Sequence, residues 1–406
     1  YAAVQRAAQR KPARVEDVKA LESILGPSVR ISPTRFERYI SCPFAYFMQY
    51  VLGARPRQKA ELAPNISGTL SQLTPKASEF MNRYLAMEQA LRREGSAFAK
   101  LTQPQLEQLV ESLVQEYTAA NLPGAGVRMN YLLGRIQRNL VGLLGFIQRD
   151  VRQSGFQPVA FELRIDDRPD SDDPDAPRVD PVQLDDGRGH TVRIVGTVDR
   201  VDTMELGGKT YIRVVDYKTG SKKFDLREVY YGLDCQMLLY LFTLERNGGH
   251  LFSQGTAAGV EYLWADPAPE NIIRPETDDA ELLQAQNYPL EGLLLDEPSI
   301  YHAMDTRGTG AFVPLSFSAK TGEPTAQSAK ARLADREKFN RIRDHLDGML
   351  TDMAKNLYSG EIDAAPLVPN AGKSPCLWCE YRTVCRHADG EGERTPLKPD
   401  DPFGAE

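Results

Sequence analysis

Gly207 and Gly208 separate two short segments in which apolar residues alternate with polar ones, 191–202 (TVRIVGTVDRVD) and 210–216 (TYIRVVD). That alternation is the period of a half-buried β-strand, and a Gly-Gly pair supplies the positive φ angles of a tight hairpin. Two strands joined so closely must lie side by side in one sheet, which restricts the fold more than any other feature. A further alternating stretch, 158–165, precedes them, and a helix (LDCQMLLYLFTLERN) and another strand (GVEYLWA) follow. Upstream, Met129, Leu132, Leu133, Ile136, Leu140, Leu143, Leu144, Ile147 and Val151 recur every three or four positions, the helical period. Helices dominate to about residue 155. Residues 1–26 read as one or two short helices, Ser32-Pro33 as an N-cap and first turn, and 329–357 as one long charged amphipathic helix. The expectation is an α/β (or α+β) fold with a mixed sheet.

The chain has 406 residues, enough for two or three domains. Its longest apolar runs are four or five residues, far from the roughly 20 that span a bilayer, and its polar, basic opening has no signal-peptide core. It begins with Tyr1 rather than Met, as a piece of a longer protein would. Net charge is −7, which by itself argues against binding nucleic acid. The acid is concentrated, however. Residues 166–186 hold nine Asp and four Pro, and without them the chain is formally neutral, a body that can carry local basic patches, so the global charge decides nothing. That segment and the acidic C-terminus read as solvated loop and tail.

Asp199 falls near the end of one strand, and Asp216-Tyr217-Lys218 across the hairpin. Alternate residues of a strand share a face, so Asp216 and Lys218 point the same way. Two carboxylates converging from adjacent strands are hard oxygen ligands suited to Mg²⁺ or Mn²⁺. Such an ion acidifies its water and neutralises a phosphoryl oxygen, and a lysine beside it positions the water or stabilises developing charge. The combination suits phosphodiester hydrolysis. Asp beside Lys in a hairpin is also common surface chemistry, but Val214 and Val215 bring Asp216 out of an apolar strand. Twenty residues on, Gln236 and Tyr240 share one helical face.

GTVDRVD, VVDYKTG and QMLLY resemble the motifs of PD-(D/E)XK nucleases of the RecB type. The resemblance implies that Asp199, Asp216 and the Tyr217 carbonyl hold Mg²⁺, that Lys218 assists catalysis, and that Gln236 and Tyr240 support the site or the DNA. Glu162 matches an upstream acidic residue of the family. The family often carries G-x-x-x-H before the strands. Here Gly68 to Gln72 (GTLSQ) puts Gln72 at the histidine position, and an amide is a poorer ligand.

Of five cysteines, Cys376, Cys379 and Cys385 are closely spaced, Cys42 is far upstream, and Cys235 reads as a small apolar helix residue. Three thiolates at that spacing indicate zinc or iron–sulfur, with His387 or Cys42 as the fourth ligand. One Cys before the nuclease strands and C-x2-C-x5-C after them resembles the iron–sulfur staple of the AddB family, which implies a 4Fe–4S cluster on Cys42, Cys376, Cys379 and Cys385. Closing so long a loop contributes roughly 4–5 kcal/mol if the disulfide model carries over.

The resemblance runs from Ile31 to about Ala388. It implies a restriction-endonuclease-like core with a helical insertion, divided as 1–30 (upstream remnant), 31–155 (helical, with the first cluster Cys), 156–325 (nuclease core), 326–390 (long helix and three-Cys segment) and 391–406 (tail). It further implies a bacterial cytoplasmic complex with an AddA-like helicase–nuclease partner, processing double-strand DNA ends for recombinational repair and cutting one strand. Two other readings are a catalytically silent DNA-binding scaffold, prompted by Gln72, and a CRISPR-associated four-cysteine exonuclease, a group about half this length. Gly208-Lys209-Thr210 and Gly372-Lys373-Ser374 lack the first glycine of a P-loop, so no ATP site is expected. Lys330, Arg332, Arg336, Lys338, Arg341 and Arg343, like Arg55, Arg57 and Lys59, line either a DNA channel or a solvated face.

Overall fold

The hairpin forms where Gly207 and Gly208 place it, with φ of 60° and 75° in the turn. The computed structural model describes residues 13–55, 97–121, 127–171, 173–218, 223–264, 287–369, 374–385, 387 and 392–404. Gly68, Gln72, Arg57 and Lys59 lie outside them.

Early in the chain come α1 (Val18–Leu25), β1 (Ser28–Ile31) and α2 (Pro33–Ser41), the last capped by the Ser32 side chain. Two long helices follow, α3 (Gln103–Asn121) and α4 (Val127–Gln153). The strands are β2 (Gln157–Ile165), β3 (Arg178–Val179), β4 (Gln183–Asp185), β5 (Thr191–Ile194), β6 (Gly196–Leu206), β7 (Lys209–Lys218), β8 (Thr256–Trp264), β9 (Leu290–Leu295) and β10 (Leu333–Ala334). Helix α5 (Gln236–Asn247) lies between β7 and β8, α6 (Ala326–Arg332) precedes β10, and α7 (Arg336–Tyr358) follows it.

Among the described residues the main sheet runs β10-β9-β8-β7-β6-β2-β3, and β1-β5-β4 make a smaller one. The β7–β8 pair is parallel, with α5 as its crossover, whereas β2–β6, β6–β7 and β8–β9 are antiparallel. One face of the main sheet packs under α3 and α4 through Leu140, Leu144, Phe146, Phe161, Val215 and Leu263. The other carries Val214, Val260, Leu241, Leu346 and Leu350 beneath α5 and α7. The result is three layers, a mixed sheet with helices on both faces. No described helix is long and apolar enough to cross a membrane.

Four expectations need correction. The stretch 191–202 is two strands, because Val195 turns aside to bond the Ile31 carbonyl while β5 pairs with β1. The helix expected over 329–357 is interrupted at Leu333–Ala334, where pairing with Leu294 and Leu295 replaces a helical turn and Asp335 caps a new helix. The Asp-rich segment is not simply solvated: Asp166 and Asp167 pair with Arg30, and Asp186 is buried with its carboxylate taking the Arg188 and His190 N–H groups. The C-terminal segment docks, burying Phe403 against Tyr230 and His345.

Candidate active site

The β6–β7 register runs from Leu206↔Lys209 to Arg200↔Val215, so the next step sets Asp199 level with Asp216. On the far side of β6, the pairs Phe161↔Arg200 and Leu163↔Val198 bracket Glu162 opposite Asp199. Three carboxylates thus stand in one row across three neighbouring strands, which are ~4.8 Å apart. Glu162 has φ of +49°, a left-handed conformation that a side-chain-bearing residue in a strand adopts at a cost.

The β6–β7 ladder stops at Arg200↔Val215, and Asp199 Oδ2 accepts the Tyr217 N–H at 3.1 Å. As strand alternation requires, Lys218 shares a face with Asp216: its Nζ lies 2.7 Å from Asp216 Oδ2. Gln236, first residue of α5, ties the two together. It accepts from Lys218 Nζ at 3.2 Å and donates to Asp216 Oδ1 at 3.3 Å. One turn later Tyr240 reaches back to the start of β6, where its hydroxyl bonds the Thr197 backbone and Gln236. A Cβ on Gly196 would fall 2.2 Å from that hydroxyl, so glycine is what admits the tyrosine.

Burial dominates the electrostatics. It pushes the Asp216 carboxyl up to about 7, with Asp199 adding to the rise and Lys218 opposing it. Asp199 is pushed up to about 6, again by burial first, with the Tyr217 N–H opposing and Glu162 adding. Burial also lifts the Tyr240 phenol to about 12. The carboxylates are therefore close enough to repel one another and sit where water screens little of that repulsion, a state a cation relieves.

Sequence reasoning missed what lies behind this row. On the reverse face Arg200, Asp202 and Arg213 are at most 1% exposed, and they join Asp150 of α4 and Glu261 of β8. Arg200 spans Asp202 at 2.8 and 2.7 Å and reaches Asp150 at 3.0 Å. Arg213 meets Asp202 at 2.6 Å and Glu261 at 3.0 Å. The Tyr217 side chain also turns this way, its hydroxyl 3.4 Å from Arg200. Burial raises Asp150, and raises Glu261 to about 7; Asp202, against the same burial, is held low by Arg200 and Arg213. The signal was a charge inside each apolar strand, as in YIRVV and GVEYL.

The four cysteines that the resemblance implies lie near one another. Cys42, Cys376, Cys379 and Cys385 line one pocket together with His387, and none is in a disulfide. Cys42 ends α2, and burial raises its thiol while the Ala45 and Phe44 N–H groups oppose the rise. The His387 N–H lies 3.5 Å from Cys385 Sγ. Cys235 is fully buried beside Val229 and Leu233, as an apolar role predicts. Among the described residues no three His, Cys, Asp or Glu side chains converge closely enough to hold a metal ion as they stand. Most of the basic residues about α6 and α7 are engaged: Arg332 with Glu291, Arg336 with Glu245, Lys338 with Asp401 and Arg343 with Asp344.

Comparison with known proteins agrees with this geometry. Residues 30–386 match the family model of the PD-(D/E)XK nuclease superfamily. Among curated proteins, the chain is 27% identical over 378 residues to an ATP-dependent helicase/deoxyribonuclease subunit of Clostridium botulinum (strain Loch Maree / Type A3), covering 91% of this chain and 31% of that protein. It is 28% identical over 384 residues to the protein of the same name from Thermoanaerobacter sp. (strain X514), covering 92% and 31%. A Clostridium perfringens (strain SM101 / Type A) relative of that name is 28% identical over 369 residues, covering 88% and 30%. The chain thus spans about a third of the length of the curated relatives it matches. With the match over residues 30–386 and a mixed sheet that sets Asp199, Asp216 and Lys218 side by side, this chain belongs to the PD-(D/E)XK nuclease superfamily.

Proposed function

We propose that this chain hydrolyses DNA phosphodiesters as the nuclease portion of a larger helicase–deoxyribonuclease protein. The observation that carries the reading is the knot of Asp199, Asp216, Lys218 and Gln236 where β6 and β7 part. Asp199 and Asp216, with the Tyr217 carbonyl, suit a Mg²⁺ or Mn²⁺ ion, which needs only one or two carboxylates and fills its remaining positions with water and substrate oxygens. When bound, the ion supplies an acidified water and neutralises charge on the phosphoryl oxygen. Lys218, steadied by Asp216 and Gln236, presents its ammonium to the attacking water or to the charge that develops on phosphorus oxygens. Tyr240 fixes α5 against β6 and so fixes Gln236. Glu162 adds negative potential at the far end of the row.

Four cysteines around one pocket, none of them in a disulfide, with backbone N–H groups aimed at Cys42 and Cys385, support a 4Fe–4S cluster over a single zinc, at which three or four ligands would have to meet. The name shared by the relatives supports a complex with a partner subunit that acts on DNA. The family resemblance extends that reading to an AddA-like helicase–nuclease partner that feeds DNA from double-strand ends to this exonuclease in the bacterial cytoplasm, for recombinational repair. The test is digestion of DNA with Mg²⁺ by this chain and by Lys218→Ala. The variant is expected to lose about 10²- to 10⁴-fold in rate. Equal, background-level digestion by both replaces the enzyme by a DNA-binding scaffold.

A further inference from the structure

The acidic row lies at the end of the main sheet where β7 and β8 finish and β9 begins, since Lys218 is level with Trp264 and Leu263 with Leu290. The same row continues sideways. Asp216 is level with Tyr262, and Tyr262 with Glu291, so Glu291 stands two strands, roughly 10 Å, from the Asp216 carboxylate on the same face. Between them the Tyr262 ring lies 5.6 Å beneath Lys218 Nζ and is covered by Phe224. Past Phe224 opens a cleft of about 540 Å³, formed by the start of β9, residues 310–316 and α6. That volume falls in the range of small-ligand sites.

The lining differs sharply from the acidic row. Glu291 is neutralised by Arg332, which also donates to the Phe224 carbonyl at 3.3 Å and so ties the cleft floor to the partition beside the active site. Pro314 and Leu315 supply apolar wall, Ala331 leaves the mouth wide, and Gln327 is exposed at its rim with an amide that both donates and accepts. The cleft thus combines apolar wall with an amide and the hydroxyls of Ser316, Thr325 and Ser328, while its one cation among the described residues, Arg332, is already paired with Glu291 and has little to offer a free phosphate. It suits a nucleobase with its sugar: a π-face needs apolar surface, and a base edge needs a group that both donates and accepts.

We propose that this cleft holds one base of the strand being cut, a short step from the scissile phosphate. The inference rests on the nuclease reading above and deepens it by adding a subsite that grips the substrate through a base rather than through its phosphates. It gives Gln327 and Ala331 binding roles that the chemistry at Asp199 and Asp216 does not require.

The experiment compares the full chain with Ala331→Trp, which fills the mouth, and Gln327→Ala, an exposed change that leaves packing intact. Each is assayed with Mn²⁺ on a single-stranded oligonucleotide and on bis(4-nitrophenyl) phosphate, a diester too small to reach the cleft. Both variants are expected to raise KM for the oligonucleotide, about 5- to 100-fold for Ala331→Trp, the loss of one stacked base, and less for Gln327→Ala. Turnover of the small diester should stay within about twofold of the parent in both, since neither touches the metal-binding row. Unchanged oligonucleotide KM in the two variants overturns the inference. Should Ala331→Trp lose both activities through misfolding, Gln327→Ala decides alone. If the parent cleaves neither substrate, the nuclease reading has failed instead, and the two failures are told apart.

Discussion

Asp199 and Asp216 are held in a condition that either a proton or a metal cation relieves. Their carboxyls, pushed up to about 6 and about 7 chiefly by burial, retain protons that an unfolded chain would release near pH 3.8. Between those limits the folded state binds more protons than the unfolded one, so stability falls as pH rises. The contribution is fully present below the unfolded value and is lost as pH climbs through about 6 and 7. Metal ligation has the opposite dependence, because it needs both groups ionised. Thermal melting with and without Mg²⁺ should therefore show a metal-induced rise that is small at about pH 5 and large at about pH 8. A rise independent of pH would mean that these two carboxyls are not the ligands. This part of the site was legible in the sequence because period-two alternation fixes which side chains share a face, and Asp216 with Lys218 obeys it. Glu162 was legible only as an acid in a strand. Its placement opposite Asp199 is set by the β2–β6 register, which alternation within one strand does not specify, and its left-handed φ has no signal in the sequence.

At the scale of elements, β6, β7, β8 and α4 are bolted together by the buried charges of Arg200, Asp202, Arg213, Asp150 and Glu261. Removing one partner of a buried set strands the others without water, which costs about 3–5 kcal/mol. Arg213→Ala, which leaves Glu261 and part of Asp202 unanswered, is expected to lose that much in urea unfolding. Arg246→Ala, which breaks a partly exposed pair with Asp347 at 2.7 Å, should lose no more than about 1 kcal/mol. Comparable losses in the two would mean that the interior cluster is hydrated. Strands and helices with strong periods were legible, as β7, α4 and α5 illustrate. The break at Leu333–Ala334 was not, because it comes from pairing with β9, a partner nearly forty residues upstream, and tertiary pairing overrides local helix preference. The Asp-rich segment failed for the same reason: composition reported its charge but not the Arg30 and Arg193 side chains waiting for it.

Across the whole molecule, the two ends of the described chain close on each other around the cysteine pocket. The Tyr381 hydroxyl donates to the Ala54 carbonyl at 2.7 Å, Arg38 pairs with Glu380 at 3.0 Å, and the Leu367 N–H bonds the Ser41 carbonyl at 2.9 Å. Each such contact is worth about 1 kcal/mol or less in isolation, too little to hold so long a loop shut against chain entropy. Closure of the thiols by the proposed cluster is of a different order, roughly 4–5 kcal/mol by the cross-link argument. Cys42→Ser should therefore cost several times what Arg38→Ala costs in thermal unfolding, and should abolish any visible charge-transfer absorption of the purified chain. It should also expose the segment around Cys376 to proteolysis while the main sheet, whose pairing does not involve either end, stays protected. A Cys42→Ser protein that melts with the parent and is cut no faster would show that the protein contacts alone keep the ends together, and that the thiols close nothing.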